Sequence, residues 1–252
     1  MVVRPAVLSL IGPWLLFAGP VLPPARQSAP AARPGEAQLQ RDFDLFRAIY
    51  EAANAGLYKY HSRQRIDSAF AAGRGQITAV TTVLDFYRLT YRITAFTGSL
   101  HSDNYLPADL EKQLKAEAAF FPYPLRVVQG QLLVDARTGP LPPGTELLRI
   151  DGRPGAQVLR DLGKYATTDG YNQTGKLYLI GQHFAEYYRW EYGARPAFEL
   201  TYQLPGSTDT LHRRLPAVTY ATRLKQRHSA PSDTARLRPY HLQVLDSARM
   251  AV

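Results

Sequence analysis

The chain has 252 residues, 45% of them hydrophobic, a formal charge of +9 and no cysteine. That hydrophobic content is enough to bury a core and excludes a disordered chain, and the lack of cysteine excludes disulfides, thiolate catalysis and lipid attachment at a cysteine. The charge is +3 before Glu36 and +6 between His212 and His241, which leaves the remainder neutral, so no nucleic-acid partner is expected for the core.

Residues 1–31 combine an early Arg4, an apolar run from Ala6 to Leu22 interrupted by Pro13, and the small-residue exit Ala29-Pro30-Ala31. This is the pattern of a secretory signal, and it predicts a periplasmic or extracellular protein. The alternative is a membrane anchor, but the run is near the lower limit for a span and has prolines inside it and directly after it. No stable membrane span is expected.

Leu39, Phe43, Phe46, Tyr50 and Ala53 recur at steps of three and four, which predicts a helix from about Gln38 to Ala55 that Gly56 ends. A short helical piece over Ile66 to Ala72 follows. The spacing of Val80, Val83, Leu84, Tyr87 and Tyr91 predicts a third helix from Thr78 to about Phe96, and a fourth is expected over Ala108 to Ala119. Between the last two lies Thr97-Gly98-Ser99-Leu100-His101-Ser102-Asp103-Asn104-Tyr105, a run of turn formers around one histidine. His101 therefore sits on a loop after a helix, where chemistry is commonly placed, although a surface or capping histidine has the same local sequence. No His-Glu-x-x-His or similar pair accompanies it, so neither a metal nor a cofactor is expected.

Two strands are expected at Leu125–Val128 and Gln131–Val134, joined through Gly130, and a third at Glu146–Ile150. Asp151-Gly152 is a type I′ turn signal, and Ala156 to Leu162 reads as a short helix. From Gly163 to Gly193 the chain carries eight aromatic residues, with Leu177, Ile180, Phe184 and Tyr187 at helical spacing. They suit either a surface for a peptide or an anchor onto the neighbouring module. Strands at Ala197–Gln203 and Thr210–Val218 flank a Pro205-Gly206 turn. Thr219 to Pro239 is basic and without periodicity, which suggests a linker, and His241 to Val252 opens a further strand or hairpin.

The segment Pro143-Gly144-Thr145-Glu146-Leu147-Leu148-Arg149-Ile150-Asp151-Gly152 resembles the signature of PDZ modules, a Pro-Gly loop followed by a strand of the form Ile-Leu-x-Ile-Asn-Gly. With the signal, the helical unit, the His101-Ser102 loop and the strand pair that begins after Phe121-Pro122, the chain from Leu39 to Val252 resembles the N-terminal half of the tail-specific, or carboxy-terminal processing, serine proteases, including their tricorn-like branch. That resemblance implies an α+β fold: an N-terminal helical unit (36–119), then a PDZ-like β-rich module (120–218) with a helical aromatic insertion, a basic linker (219–240), and the first strand of a missing α/β catalytic domain (241–252). It also implies that His101 is the general base for a serine carried elsewhere, with Pro143, Gly144 and Thr145 in the loop that takes the C-terminal carboxylate of a peptide or protein partner. No Gly-x-Ser-x-Gly elbow occurs in the chain, so inactivity in isolation is expected. A non-enzymatic exported peptide-binding protein is the alternative.

Overall fold

The computed structural model describes residues 34–226, 244–245 and 250–251. The expected signal at 1–31 and most of the expected linker therefore lie outside the described residues. The fold is α+β, with mixed helices, a six-stranded antiparallel sheet and a separate two-stranded one, as the α+β reading of the sequence predicts.

Three helices come first: α1 (Glu36–Ala53), α2 (Arg63–Arg74) and α3 (Val83–Thr97). The stripe on α1 holds in its first half, where Leu39 and Phe43 are buried against Ile66 and Phe70 of α2 and Leu89 and Ile93 of α3; Phe46 and Tyr50 are half-buried at the edge of that core and Ala53 is exposed. The other flank of α3, carrying Tyr87 and Tyr91, enters a second and larger core built on the sheet. One helix thus belongs to both cores.

The start of α3 differs from the sequence prediction. Thr78 to Thr81 forms a turn in which the Thr81 amide donates to the Thr78 carbonyl at 3.0 Å and the Thr78 amide donates to Thr81 Oγ1 at 2.9 Å. Hydroxyls that hydrogen-bond nearby backbone compete with helix at this point. The helix begins only after Thr82, where a reciprocal cap forms: the Asp85 amide donates to Thr82 Oγ1 at 3.0 Å, and Asp85 Oδ2 accepts from the Thr82 amide at 3.1 Å. Val80, taken as part of the apolar face, is outside the helix and 75% exposed.

Burial pushes the Asp85 carboxyl up, but the hydrogen bonds from Thr82 and the Arg88 guanidinium outweigh it and hold the group below its ordinary value. A depressed folded-state value means the contribution is present above the unfolded value of about 4 and is lost as pH falls through the folded one. Asp85→Asn is accordingly expected to lower stability by roughly 1 kcal/mol near pH 7 and by progressively less below about pH 4. Thermal melts of both proteins across that range would show the two curves converging; a constant gap would contradict the cap's ionic role.

After α4 (Ala108–Ala116) come β1 (Leu125–Val128), β2 (Gln131–Val134), β3 (Glu146–Ile150), β4 (Arg153–Pro154), α5 (Gly155–Leu162), α6 (Gln173–Gln182), α7 (Phe184–Tyr192), β5 (Ala197–Gln203), β6 (Leu211–Pro216) and α8 (Tyr220–Lys225). The sheet order is β1-β2-β3-β5-β6, with β4 paired to β3, and every pairing is antiparallel. Both predicted two-residue turns are found: Gln129 and Gly130 have φ of 50° and 80°, Asp151 and Gly152 of 51° and 76°. Alternation on β5 buries Phe198, Leu200 and Tyr202 against Phe121, Leu162, Phe184 and Tyr188.

Two further differences have local causes. The aromatic insertion holds two helices, interrupted at His183, whose φ of −112° and ψ of 22° lie outside helix. The break lets α6 lie along β1 while α7 packs on α3 and α5. Thr219 caps the helix α8 within the segment expected to be linker, its hydroxyl accepting from the Thr222 amide. Farther on, β7 (Val244–Leu245) pairs antiparallel with β8 (Met250–Ala251), where the sequence suggests a strand or a hairpin.

Candidate functional site

The loop that follows α3 is held at both ends. Gly98 closes the helix at φ 72°, and its carbonyl accepts from the Gly170 amide at 2.9 Å, while the Leu100 amide donates to Asp169 Oδ1 at 3.0 Å. The approach is close: a Cβ on Gly170, itself at φ 54°, would lie 2.7 Å from the Tyr60 ring. At the far end, Asn104 Nδ2 donates to Thr94 Oγ1 at 3.2 Å, the Asn104 carbonyl accepts from the Tyr91 hydroxyl at 3.0 Å, and Thr167 Oγ1 donates to Asp103 Oδ1 at 2.8 Å. Between these anchors His101 is exposed.

His101 and Ser102 form part of the wall of a cleft of about 790 Å³. The opposite wall is on α1, with Leu45 and Ile49 both 59% exposed, and Asp42, Asp103 and Asp169 supply carboxylates around the opening. An apolar wall facing a few polar groups is the usual composition of a ligand site. A histidine on a tethered loop in such a cleft can exchange a proton with a bound group without the loop reorganising. No hydrogen bond joins the His101 ring to a hydroxyl or carboxylate among the described residues. No group of three or more metal-ligating side chains occurs among them either.

Pro143, Gly144 and Thr145 are elsewhere, and none of them lines this cleft or the second cavity described below. The Gly144 amide donates to the Val134 carbonyl at 2.8 Å, the Thr145 amide to the Pro142 carbonyl at 3.2 Å, and proline has no amide N–H. The donors expected to take a carboxylate are thus engaged within the chain, the Gly144 amide on β2 and the Thr145 amide on its own loop. Sequence reasoning cannot see such a closure, because Val134 is ten residues away.

The sheet's two edges are unequal. By antiparallel alternation, the Asp135 amide bonded to the Pro124 carbonyl turns the backbone groups of Leu125 and Val127 outward. Helix α6 covers them: a Cβ on Gly181 would stand 3.1 Å from the Leu125 carbonyl oxygen and 3.6 Å from the Val127 nitrogen. No strand fits between. At the other edge the Ala217 amide donates to the Pro196 carbonyl, so His212 and Arg214 of β6 turn their amides away from β5. That edge is open until Val218, which bridges Phe120. The only sequence signal for this asymmetry is the helix-compatible glycine Gly181 inside an aromatic insertion.

No protein-family model matches the chain, and no curated protein matches it. Among solved structures, the chain overlaps mature CPAF with a TM-score of 0.47 and 13% sequence identity, covering 72% of this chain and 34% of that one. It overlaps a point mutant of CPAF with a TM-score of 0.45 and 12% identity, at the same coverage. The chain therefore spans about a third of the length of those structures.

Proposed function

We propose that the chain is the N-terminal part of a secreted serine-type endopeptidase, inactive alone, in which His101 is the general base for a serine carried outside the described residues. The observation that carries this reading is His101 itself, held on a doubly anchored loop in the wall of a large cleft. The leader-like composition of residues 1–31 supports export. In this reading the helical part shapes the cleft, and the PDZ-like β-rich part takes the C-terminal peptide of the substrate as an added strand. The open edge of β6 suits that addition, with Arg213 beside it as a counter-ion for the carboxylate; Arg214 already pairs with Glu199 at 3.1 Å.

The alternative, a non-enzymatic exported peptide-binding protein, draws on the lack of a hydroxyl hydrogen-bonded to His101 among the described residues. Both readings share the peptide, so binding is measured first. Hexapeptides ending in apolar residues, each as free acid and as amide, are titrated into the chain with amide hydrogen exchange as the readout. The expected result is tighter binding of the acids with new protection at His212 and Arg214. Arg214→Pro removes an outward donor and the exposed ion pair to Glu199 while leaving the backbone ladder to β5 intact, and it should weaken binding at least tenfold with unchanged circular dichroism, whereas Arg214→Ala, which loses the ion pair alone, should bind as wild type. Equal binding of acid and amide, or protection at other positions alone, would reject strand addition here. Hydrolysis by the purified chain that disappears in His101→Ala would reject inactivity in isolation.

A further inference from the structure

On the other side of the His101 loop lies a second cavity of about 450 Å³. Its wall includes the rings of Tyr87, Tyr91, Tyr105, Tyr187 and Trp190 and the carboxylate of Asp103. The rings meet at varied angles: Tyr87 and Trp190 stand 5.4 Å apart at 85°, Tyr187 and Trp190 5.5 Å apart at 41°, and Tyr87 stacks on Tyr165, also in the wall, at 6.4 Å and 22°. Such a cluster presents ring faces in several directions around the space. No lysine or arginine lines the space.

Its charge is unbalanced in the same sense. Glu111, also in the wall, is paired with Lys115. Asp103 accepts only from the Thr167 hydroxyl and has no cationic partner among the described residues. Burial raises the Tyr87 and Tyr187 phenols far above their ordinary value, so they remain neutral and act as donors and π-faces rather than anions. The Tyr187 hydroxyl makes no hydrogen bond among the described residues. Tyr105 stands at the mouth, 86% exposed.

We propose that this cavity binds the ammonium or guanidinium head of a basic side chain. Negative ring faces attract a cation, and the buried Tyr87, Tyr91 and Tyr187 form the inner wall while Asp103 and Tyr105 lie at the exposed mouth. Asp103 supplies a carboxylate without a cationic partner among the described residues, which a neutral side chain of equal length cannot use. Asp103 and Asn104 line this cavity and the His101 cleft alike, so a lysine or arginine seated here lies on a peptide passing the His101 loop. The inference does not require His101 to be a base, because it concerns binding alone.

The chain contains two tryptophans, Trp14 and Trp190, so Trp190 fluorescence reports on the cavity, with Trp190→Phe as background. N-acetyl-lysine methylamide, N-acetyl-arginine methylamide and the neutral N-acetyl-norleucine methylamide are titrated against the full chain. The expected result is saturable change with both basic probes and at least tenfold weaker binding of norleucine. Asp103→Asn keeps an acceptor for Thr167 and should weaken the basic probes about tenfold, and Tyr105→Ala, at an exposed site, about threefold to tenfold. Norleucine binding as tightly as lysine overturns the proposal, as does the absence of saturation with any probe. If Asp103→Asn unfolds, Tyr105→Ala decides on its own: an unchanged affinity overturns the proposal.

Discussion

Asp151→Ala is expected to destabilise the fold by about 3–5 kcal/mol, the range for leaving a buried charge without its partner. Asp151 Oδ2 accepts from the Tyr188 hydroxyl at 2.8 Å and pairs with Arg195, while Oδ1 accepts from the Glu199 amide at 2.9 Å. Only 14% of the Asp151 side chain and 18% of the Arg195 side chain are exposed, so water cannot replace the pair. Alanine would also have to adopt φ 51°, which only a few residue types tolerate.

Two companions separate the turn from the carboxylate. Asp151→Gly relieves the backbone completely yet removes all three partners, so it should fall close to alanine. Asp151→Asn keeps the turn and an acceptor for Glu199 but loses the charge facing Arg195, so it should lie between wild type and alanine. Urea denaturation at pH 7 ranks the four proteins. If asparagine matched wild type and glycine came near it, the residue would matter only as a turn former.

That pair of roles shows which part of the fold is legible in the sequence. Asp-Gly between strand-like segments announces a turn because the cause is local: both positions need positive φ, and both residue types accept it. The strands Leu125–Val128, Gln131–Val134, Glu146–Ile150 and Ala197–Gln203 are read to the residue for the same reason, since their alternation and bounding turns are contiguous. The three partners of Asp151 lie 37 to 48 residues onward and leave no trace near it. Pairing over that distance is a property of the packed structure.

Helix ends were harder where side chains compete with the backbone. Thr82 and Asp85 stop α3 from extending back to Thr78, and Thr219 starts α8 inside a segment whose basic composition suggests a linker. At the site, turn formers around one histidine were enough to place His101 on a loop. The cleft is not readable, because its α1 wall mixes the second half of the apolar stripe, Phe46, Tyr50 and Ala53, with Leu45 and Ile49 from the flank that periodicity assigns to solvent. Leu45 and Ile49 lie off the buried stripe and become informative only once the loop is seen across from them. The Pro143-Gly144-Thr145 loop gave a true structural signal, a tight loop before a strand, but its amides close onto β2 and the chain itself.

Under the proposed function, His101→Ala is expected to leave the fold unchanged and to lower catalysis sharply in an enzyme that joins the chain to a nucleophile. The side chain is exposed and makes no hydrogen bond among the described residues, so truncation removes no packing and strands no buried partner; the change in stability should stay within about 0.5 kcal/mol. Proton transfer by a positioned base contributes roughly 10²–10⁴-fold, so kcat/KM in the joined enzyme should drop by that factor. Binding of the peptide acids at β6 should be unaffected, because neither His212 nor Arg214 lines the His101 cleft. This combination discriminates: intact melting, intact peptide affinity and lost turnover together identify a base. Turnover that survives in His101→Ala would return the residue to the surface role its exposure equally permits, and the doubly anchored loop would then serve the apolar cleft and the aromatic cavity on either side of it.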